Sequence, residues 1–270
     1  MKIGIVGCGL MGGSIAIVTV RSGYDTIIYD RKSIADKLLK INRVANNGIV
    51  TPRLSAIGTN DLNDLKVCDL IIEAVSENIE LKKSIFRLLD SMCPPSTILA
   101  TNTSCIPIKE MASSTIRGDR CVGLHFSNPA HVMELCELVK SDFTSDKTIR
   151  IVHEFAESLE KTVVVVKDYP GFITNRLIMP MIVEAIKIIE SVQATKEDVD
   201  KVSKCGFKHP LGTIALADFI GLDTVYYICD ILYKLTKEDK FAPPKLLKDM
   251  VDAGQYGKKT GRGFYEYPIH

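Results

Sequence analysis

Lys2-Ile3-Gly4-Ile5-Val6, running straight into Gly7-Cys8-Gly9-Leu10-Met11-Gly12, decides how this chain folds. The first five residues are apolar and rich in β-branched side chains, as in a buried parallel strand. The next six are a G-x-G-x-x-G turn. Ser14 to Arg21 continues as a helix, Gly23 stops it, and Asp25 to Asp30 (DTIIYD) reads as a second strand. A strand, a glycine turn, a helix and a strand within about 30 residues make a βαβ unit of the dinucleotide-binding kind. Gly7 permits the tight turn, Gly9 lets backbone approach a pyrophosphate, and Gly12 lets the helix pack closely on the strand. Leu10 and Met11 open that helix, whose N-terminus offers free N–H groups and a positive dipole end to phosphates. Asp30 ends the second strand, where a carboxylate accepts from the adenosine ribose. It favours NAD over NADP, because it repels a 2′-phosphate, although Arg31 and Lys32 follow at once and oppose that choice.

Working outward, further strands are expected at Asp69–Val75, Ser96–Thr101, Cys121–Phe126 and Thr162–Lys167. Helices are expected between them at Asn78–Asp90 and around Thr148–Leu159. Strands alternating with helices imply a Rossmann-type, doubly wound, mostly parallel α/β sheet. After Asp168 the pattern changes. Ile173, Leu177, Met181, Ala185 and Ile189 recur every four residues, the mark of a long helix with a wide apolar face, with Pro180 inside it. Thr195 followed by Asp198 reads as a helix N-cap. Leu211–Tyr233 and Pro244–Asp252 also read as helical. The expectation is a dinucleotide-binding domain over residues 1–167 and an all-α domain over 168–270. The latter is too apolar to stand alone and is expected to form a homodimer.

Composition narrows the class. The 270 residues are 46% hydrophobic and 25% charged, which excludes general disorder. Lys and Arg total 34 against 33 Asp and Glu, a balance that offers nucleic acid no basic surface. Eight cysteines form no C-x-x-C pair and no cluster with zinc spacing, so neither a metal nor a disulfide framework is expected. Free thiols in a reducing cytoplasm are the simpler reading. Ile3–Val20 lacks any charge and resembles a signal or membrane segment by hydropathy, but its five glycines argue against a spanning helix. No membrane partner is expected.

Four segments place polar residues where strands end: Thr101-Asn102-Thr103-Ser104; His125-Phe126-Ser127-Asn128-Pro129; Glu137 within an apolar run; and Gly171 to Arg176, which opens the long helix. In an open parallel sheet, ligands bind outside the carboxyl ends of the strands. Taken singly, each has a plain structural explanation: a satisfied histidine, an exposed acid, a capping serine.

Together they resemble a known family. The stretches GCGLMG at 7–12, IEAVSEN at 72–78, TNTS at 101–104, GLHFSNPAHVMELCELV at 123–139 and DYPGFITNRLIMPMIVEA at 168–185 carry the resemblance, with HPLGTIALADFIGLDT at 209–224 and YGKKTGRGFYEY at 256–267. In this order the chain resembles the short-chain L-3-hydroxyacyl-CoA dehydrogenases, of the 3-hydroxybutyryl-CoA dehydrogenase type. The resemblance implies NAD-dependent, reversible oxidation of a 3-hydroxyacyl-CoA. His125 would act as general base on the substrate C3 hydroxyl, a role suited to an imidazole near neutral pH. Glu137 would hold His125 and support the imidazolium. Ser104 would hydrogen-bond the reacting oxygen, and Asn175 would position the substrate carbonyl. For the cofactor it implies Glu77 and Lys82 near the ribose, Ser104 and Asn128 toward the nicotinamide, and Lys259 from the carboxyl-terminal segment.

The departures concern CoA. The family carries a longer helix pair between its second and third strands, and the corresponding Arg31–Ala56 is short here. Ser127 stands for an aromatic residue, His131 for an apolar one and Glu134 for a lysine; an added carboxylate near CoA phosphates is unfavourable. A dehydrogenase of free 3-hydroxy acids, gulonate- or carnitine-like, is the enzyme alternative, and a dinucleotide sensor without catalysis is the other.

Overall fold

The computed structural model describes residues 1–46 and 55–268. Strand β1 (Lys2–Val6) lies inside an eight-stranded sheet, flanked by β2 (Asp25–Tyr29) and β4 (Leu70–Glu73). The spatial order is β3-β2-β1-β4-β5-β6-β7-β8, with β3 at Ala56–Thr59, β5 at Ile98–Thr101, β6 at Cys121–Phe126, β7 at Leu135–Lys140 and β8 at Thr162–Lys167. Neighbours are parallel except β6 and β7, which are antiparallel. Helices α1 (Leu10–Arg21), α2 (Ala35–Ala45), α3 (Ile79–Met92), α4 (Ile108–Ala112) and α5 (Asp146–Ser158) join the strands.

The alternation of strand side chains builds two cores. Leu70 and Ile72 join Ile3, Ile5 and Ile15 in one cluster, while Ile71 joins Leu99, Phe86 and Met111 in the other. All positions of β4 are buried, as a doubly covered parallel strand requires. Two strands were not foreseen. β3 is only four residues long, and β7 surrounds Glu137, which interrupts the apolar run that would otherwise announce a strand.

The first compact unit is Met1–Phe172 and the second Ile173–His270. The second unit contains α6 (Thr174–Glu190), α7 (Lys196–Lys201), α8 (Thr213–Ile220), α9 (Leu222–Thr236) and α10 (Lys245–Asp252). Pro180 lies inside α6. Thr195 caps α7, its side chain accepting from the Asp198 N–H. The single helix expected over Leu211–Tyr233 is two helices. Gly221, at φ +100°, adopts a conformation that ordinary residues resist, and it ends α8 before α9 begins. The closing segment is held by buried Asp218, which accepts from the N–H groups of Phe264 and Tyr265 and from the Tyr267 hydroxyl.

All eight cysteines are free and only Cys205 is exposed. Burial pushes the Cys121 thiol up to about 11 and those of Cys68 and Cys229 to about 12, so they act as small apolar side chains. Among the described residues no helix is long and apolar enough to cross a membrane.

Candidate active site

The glycine turn has the geometry a pyrophosphate needs. A Cβ on Gly12 would lie 1.8 Å from the Gly7 carbonyl oxygen, so helix and turn meet where only hydrogen fits. A Cβ on Gly9 would meet nothing within 4 Å; the space before it is an open cradle. Helix α1 begins there with no side-chain cap and no acid in its first turn, which leaves its end to an anion. Asp30 closes the other side. Its carboxylate accepts from the N–H groups of Cys8 at 2.8 Å and Lys32 at 3.1 Å. Burial opposes its charge, but those bonds and the Lys37 ammonium prevail and hold the carboxyl below its usual range. A cavity of about 370 Å³ is lined by Gly7, Gly9, Asp30, Arg31, Val75 and Ser84, among others. These residues fit an adenine dinucleotide: a glycine cradle for its phosphates and an ionised acceptor for its ribose.

The second part of the site lies further along the sheet. His125 and Glu137 are directly opposite each other in the antiparallel β6–β7 pair, so their side chains share one face. His125 Nδ1 is 2.8 Å from Glu137 Oε2, and the Phe172 ring is 5.6 Å from the imidazole, centroid to centroid. Glu137 is only 2% exposed. The unforeseen strand β7 thus brings the two residues together. Thr101 pairs with Gly123, so the Ser104 turn and His125 leave the same end of adjacent parallel strands. Asn102 fastens these ends, its Oδ1 accepting from the Phe126 N–H at 3.0 Å. Asn128 follows β6 in the loop to β7, joined to Pro129 by a cis peptide.

Glu77 and Lys82, which the resemblance puts beside the ribose, also bond to the protein's own groups. Lys82 is 1% exposed and its ammonium lies 2.8 Å from Glu73 Oε1 and 3.4 Å from Glu77 Oε2. Glu77 Oε1 in turn accepts from the Thr103 hydroxyl and from the N–H groups of Ser104 and Cys105. Both side chains also serve the protein's own turn. Sequence reading named Thr101 and Thr103 only as members of the polar turn and gave Glu73 and Asp168 no role. Asp168 accepts from the N–H groups of Ile108 and Lys109 and so caps α4, just beyond the Ser104 turn. The only available signal was a charged residue ending an otherwise apolar strand. Asn175 lies buried in the first turn of α6. Lys259 bonds to Asp223 and Thr224 at the start of α9. Both belong to the second unit.

A family model described as the NAD binding domain of 3-hydroxyacyl-CoA dehydrogenase matches residues 2–169, and its C-terminal domain model matches 171–267. The chain belongs to the 3-hydroxyacyl-CoA dehydrogenase family. This dehydrogenase is 41% identical over 280 residues to a probable 3-hydroxybutyryl-CoA dehydrogenase of Deinococcus radiodurans, covering 99% of this chain and all of that one. It is 41% identical to the 3-hydroxybutyryl-CoA dehydrogenase of Clostridioides difficile, covering 99% of each chain. The crystal structure of (S)-3-hydroxybutyryl-CoA dehydrogenase from Ralstonia eutropha superimposes with a TM-score of 0.92, at 36% identity and 99% coverage of both chains. NAD is the cofactor of this dehydrogenase, its substrate class is 3-hydroxyacyl-CoA, and its fold is the expected Rossmann-type domain followed by a helical domain.

Proposed function

We propose that the chain interconverts a short-chain (S)-3-hydroxyacyl-CoA, 3-hydroxybutyryl-CoA first among them, and the 3-oxoacyl-CoA, with His125 and Glu137 as the base and its holder. The observation that carries this reading is the 2.8 Å contact between His125 Nδ1 and buried Glu137. An ionised carboxylate only accepts hydrogen bonds, so Nδ1 keeps its proton and Nε2 keeps its lone pair for the substrate. NAD, when bound, accepts the hydride from C3. As that hydride leaves, His125 Nε2 takes the C3 hydroxyl proton, and the carbonyl forms. Glu137 stabilises the resulting imidazolium and fixes the ring, as in other His–carboxylate pairs. In the reverse direction the imidazolium returns the proton to the ketone oxygen. Ser104 hydrogen-bonds that oxygen, Asn175 orients the thioester carbonyl, and Asn128 and Lys259 belong to the cofactor side. Asp30 selects NAD over NADP.

A groove of about 470 Å³ between α1 and α2, lined by Ile17, Ile41, Val44, Lys37 and Lys40, supports a thioester substrate: apolar walls for a pantetheine arm and cations toward its phosphates. The protein acts as a homodimer through its helical unit, which exposes Phe207 and Phe219. Its free thiols fit a reducing cytoplasm.

The test is NADH consumption with acetoacetyl-CoA, acetoacetyl-pantetheine and free acetoacetate. The thioesters are expected to be reduced and the free acid left untouched. Equal or faster turnover of free acetoacetate overturns the reading in favour of a free hydroxy-acid dehydrogenase. Of the short Arg31–Ala56 segment, residues 47–54 lie outside the described residues and α2 is the one described helix; with so short a segment the pantetheine thioester is expected to keep kcat/KM close to that of the CoA ester.

A further inference from the structure

Lys259 is held at both ends, and the residues that hold it lie within the second unit. Its backbone sits in a closed loop. The Gly257 N–H donates to the Arg262 carbonyl at 2.8 Å, the Thr260 N–H to the Gly257 carbonyl at 3.1 Å, and the Lys258 N–H to the Asp218 carbonyl of α8 at 3.1 Å. Its ammonium donates to Asp223 Oδ1 at 2.8 Å and to Thr224 Oγ1 at 2.7 Å, at the start of α9. Between these anchors the side chain crosses Gly221. A Cβ there would lie 2.4 Å from Lys259 Cε, 2.6 Å from its Nζ and 2.8 Å from Asp223 Oδ1. The glycine that separates α8 from α9 therefore also clears the path of the lysine.

Folding stability gives little reason for this arrangement. The Lys259 and Asp223 side chains are 43% and 37% exposed, and an ion pair so open to water contributes little. The ammonium also stands at the N-terminal end of a 15-residue helix, whose dipole disfavours a cation there. Fixing a lysine costs side-chain entropy as well. What is gained is direction. An ammonium has three N–H donors. Two are committed to α9, and among the described residues the third has no partner. A cation paired on one side and open on the other keeps one donor for a ligand, and it is in place before the ligand arrives.

We propose that Asp223 and Thr224 are positioning residues for Lys259: together they hold its ammonium ready for the cofactor, with Gly221 leaving room for the arm. The proposal rests on the reading that places Lys259 on the cofactor side, and it states how a flexible lysine is prepared for that role. The opposing role for Asp223 is a counter-charge that weakens the pull of Lys259 on an anionic dinucleotide. The two roles predict opposite signs. Removing a positioning carboxylate loosens the ammonium and weakens NADH binding. Removing a quenching carboxylate frees positive charge and strengthens it.

The experiment is a double-variant cycle on the NADH dissociation constant, read by fluorescence titration of the whole chain. Lys259→Met is expected to raise that constant about tenfold. Asp223→Asn keeps the shape and an acceptor oxygen, and Thr224→Val removes a hydroxyl without removing a charge. Each is expected to raise the constant about threefold. Thr224→Ser restores the hydroxyl and is expected to stay within about twofold of the wild type. On the Lys259→Met background, Asp223→Asn and Thr224→Val are expected to add little, because nothing is left for them to hold. Thr224→Val carries the test if Asp223→Asn does not fold. An Asp223→Asn protein that binds NADH as tightly as the wild type, or more tightly, overturns the proposal in favour of the counter-charge. Losses that persist undiminished on the Lys259→Met background overturn it in favour of a role in the fold of α9. Both results leave Lys259 on the cofactor side. A Lys259→Met protein with unchanged NADH affinity removes the lysine from that side, and the positioning role falls with it.

Discussion

The two halves of the sheet's working edge are built in opposite ways. Around β1 and α1 the site is shaped by missing side chains: Gly9 opens a cradle, Gly12 admits the helix, and the backbone presents the donors. Around β4 to β7 it is shaped by side chains bonded to one another: His125 to Glu137, Glu77 to the Ser104 turn, Asn102 to Phe126. Backbone cradles suit a ligand of fixed form such as a pyrophosphate. Interlocked side chains suit a reacting centre, where a proton must move at one atom and the rest must hold still. Changes at the first end are therefore expected to weaken cofactor binding and spare the chemical step. Changes at the second should do the reverse.

The largest expected effect lies at the second end. General-base catalysis is worth roughly 10² to 10⁴-fold, and His125→Gln should lose most of it in kcat, with NADH affinity nearly unchanged. Glu137→Gln keeps the shape and removes the support for the imidazolium, so it should lose less than His125→Gln but still tenfold or more. Stopped-flow hydride transfer beside NADH fluorescence titration separates the two quantities. If Glu137→Gln abolishes NADH binding, the carboxylate serves the fold and the contrast between the two ends collapses.

The glycine end gives the next largest effect, and it discriminates within itself. Gly12→Ala would put a methyl 1.8 Å from the Gly7 carbonyl oxygen, so it should destabilise the fold by about 1–3 kcal/mol or more and lose NADH. Gly9→Ala meets nothing in the free protein and should leave stability within about 0.5 kcal/mol. Yet its methyl enters the phosphate cradle, and NADH affinity should fall about tenfold or more, the equivalent of 1.36 kcal/mol per decade. Thermal unfolding and NADH titration of the two variants decide it. A Gly9→Ala protein that binds NADH normally would show that the phosphates do not rest there.

This contrast also explains what could be read in the sequence. Gly7, Gly9, Gly12 and Asp30 were legible because each is needed locally, within one βαβ unit, for a stated steric or charge reason. The strands Cys121–Phe126 and Thr162–Lys167 were legible as largely apolar runs, and both have the expected bounds. The pairing of His125 with Glu137 was available only through resemblance, because it depends on β7 folding back antiparallel, and Glu137 itself disguises that strand. The burial of Lys82 was hidden for the same reason, because it depends on the neighbouring strand ending in Glu73. The split of α8 from α9 was hidden by continuous apolar spacing on both sides of one glycine.

A smaller effect is expected at Asp30. Asp30→Asn keeps an acceptor for the ribose and removes the charge that repels a 2′-phosphate. The ratio of kcat/KM for NADH over NADPH should fall about tenfold, or roughly 1.4 kcal/mol, with kcat for NADH little changed. Arg31 lines the same cavity, and Lys37 donates to the Cys8 carbonyl at 2.9 Å beside the acid. A wild-type enzyme that already prefers NADPH would mean that these cations outweigh the carboxylate.

The smallest effect joins the two ends. His131, in the loop that follows Asn128, has its Nδ1 2.7 Å from the Ser14 hydroxyl on α1, and its own N–H donates to the same oxygen at 3.2 Å. Ser14→Ala removes both bonds and should cost about 1 kcal/mol. Burial, with the Arg21 and Lys161 cations adding to it, holds the imidazole below its ordinary value. The unfolded chain therefore binds the proton first as pH falls. This residue's share of the stability is fully present above the unfolded value of about 6.5 and is lost as pH drops below it toward the folded value. His131→Gln cannot titrate. Its stability deficit against the wild type, measured by urea unfolding, should be largest at pH 7.5 and shrink toward pH 5.5. A deficit that grows on acidification would mean that His131 gains a proton more readily when folded, and that the link between α1 and the catalytic loop is an ion pair and not a hydroxyl bond.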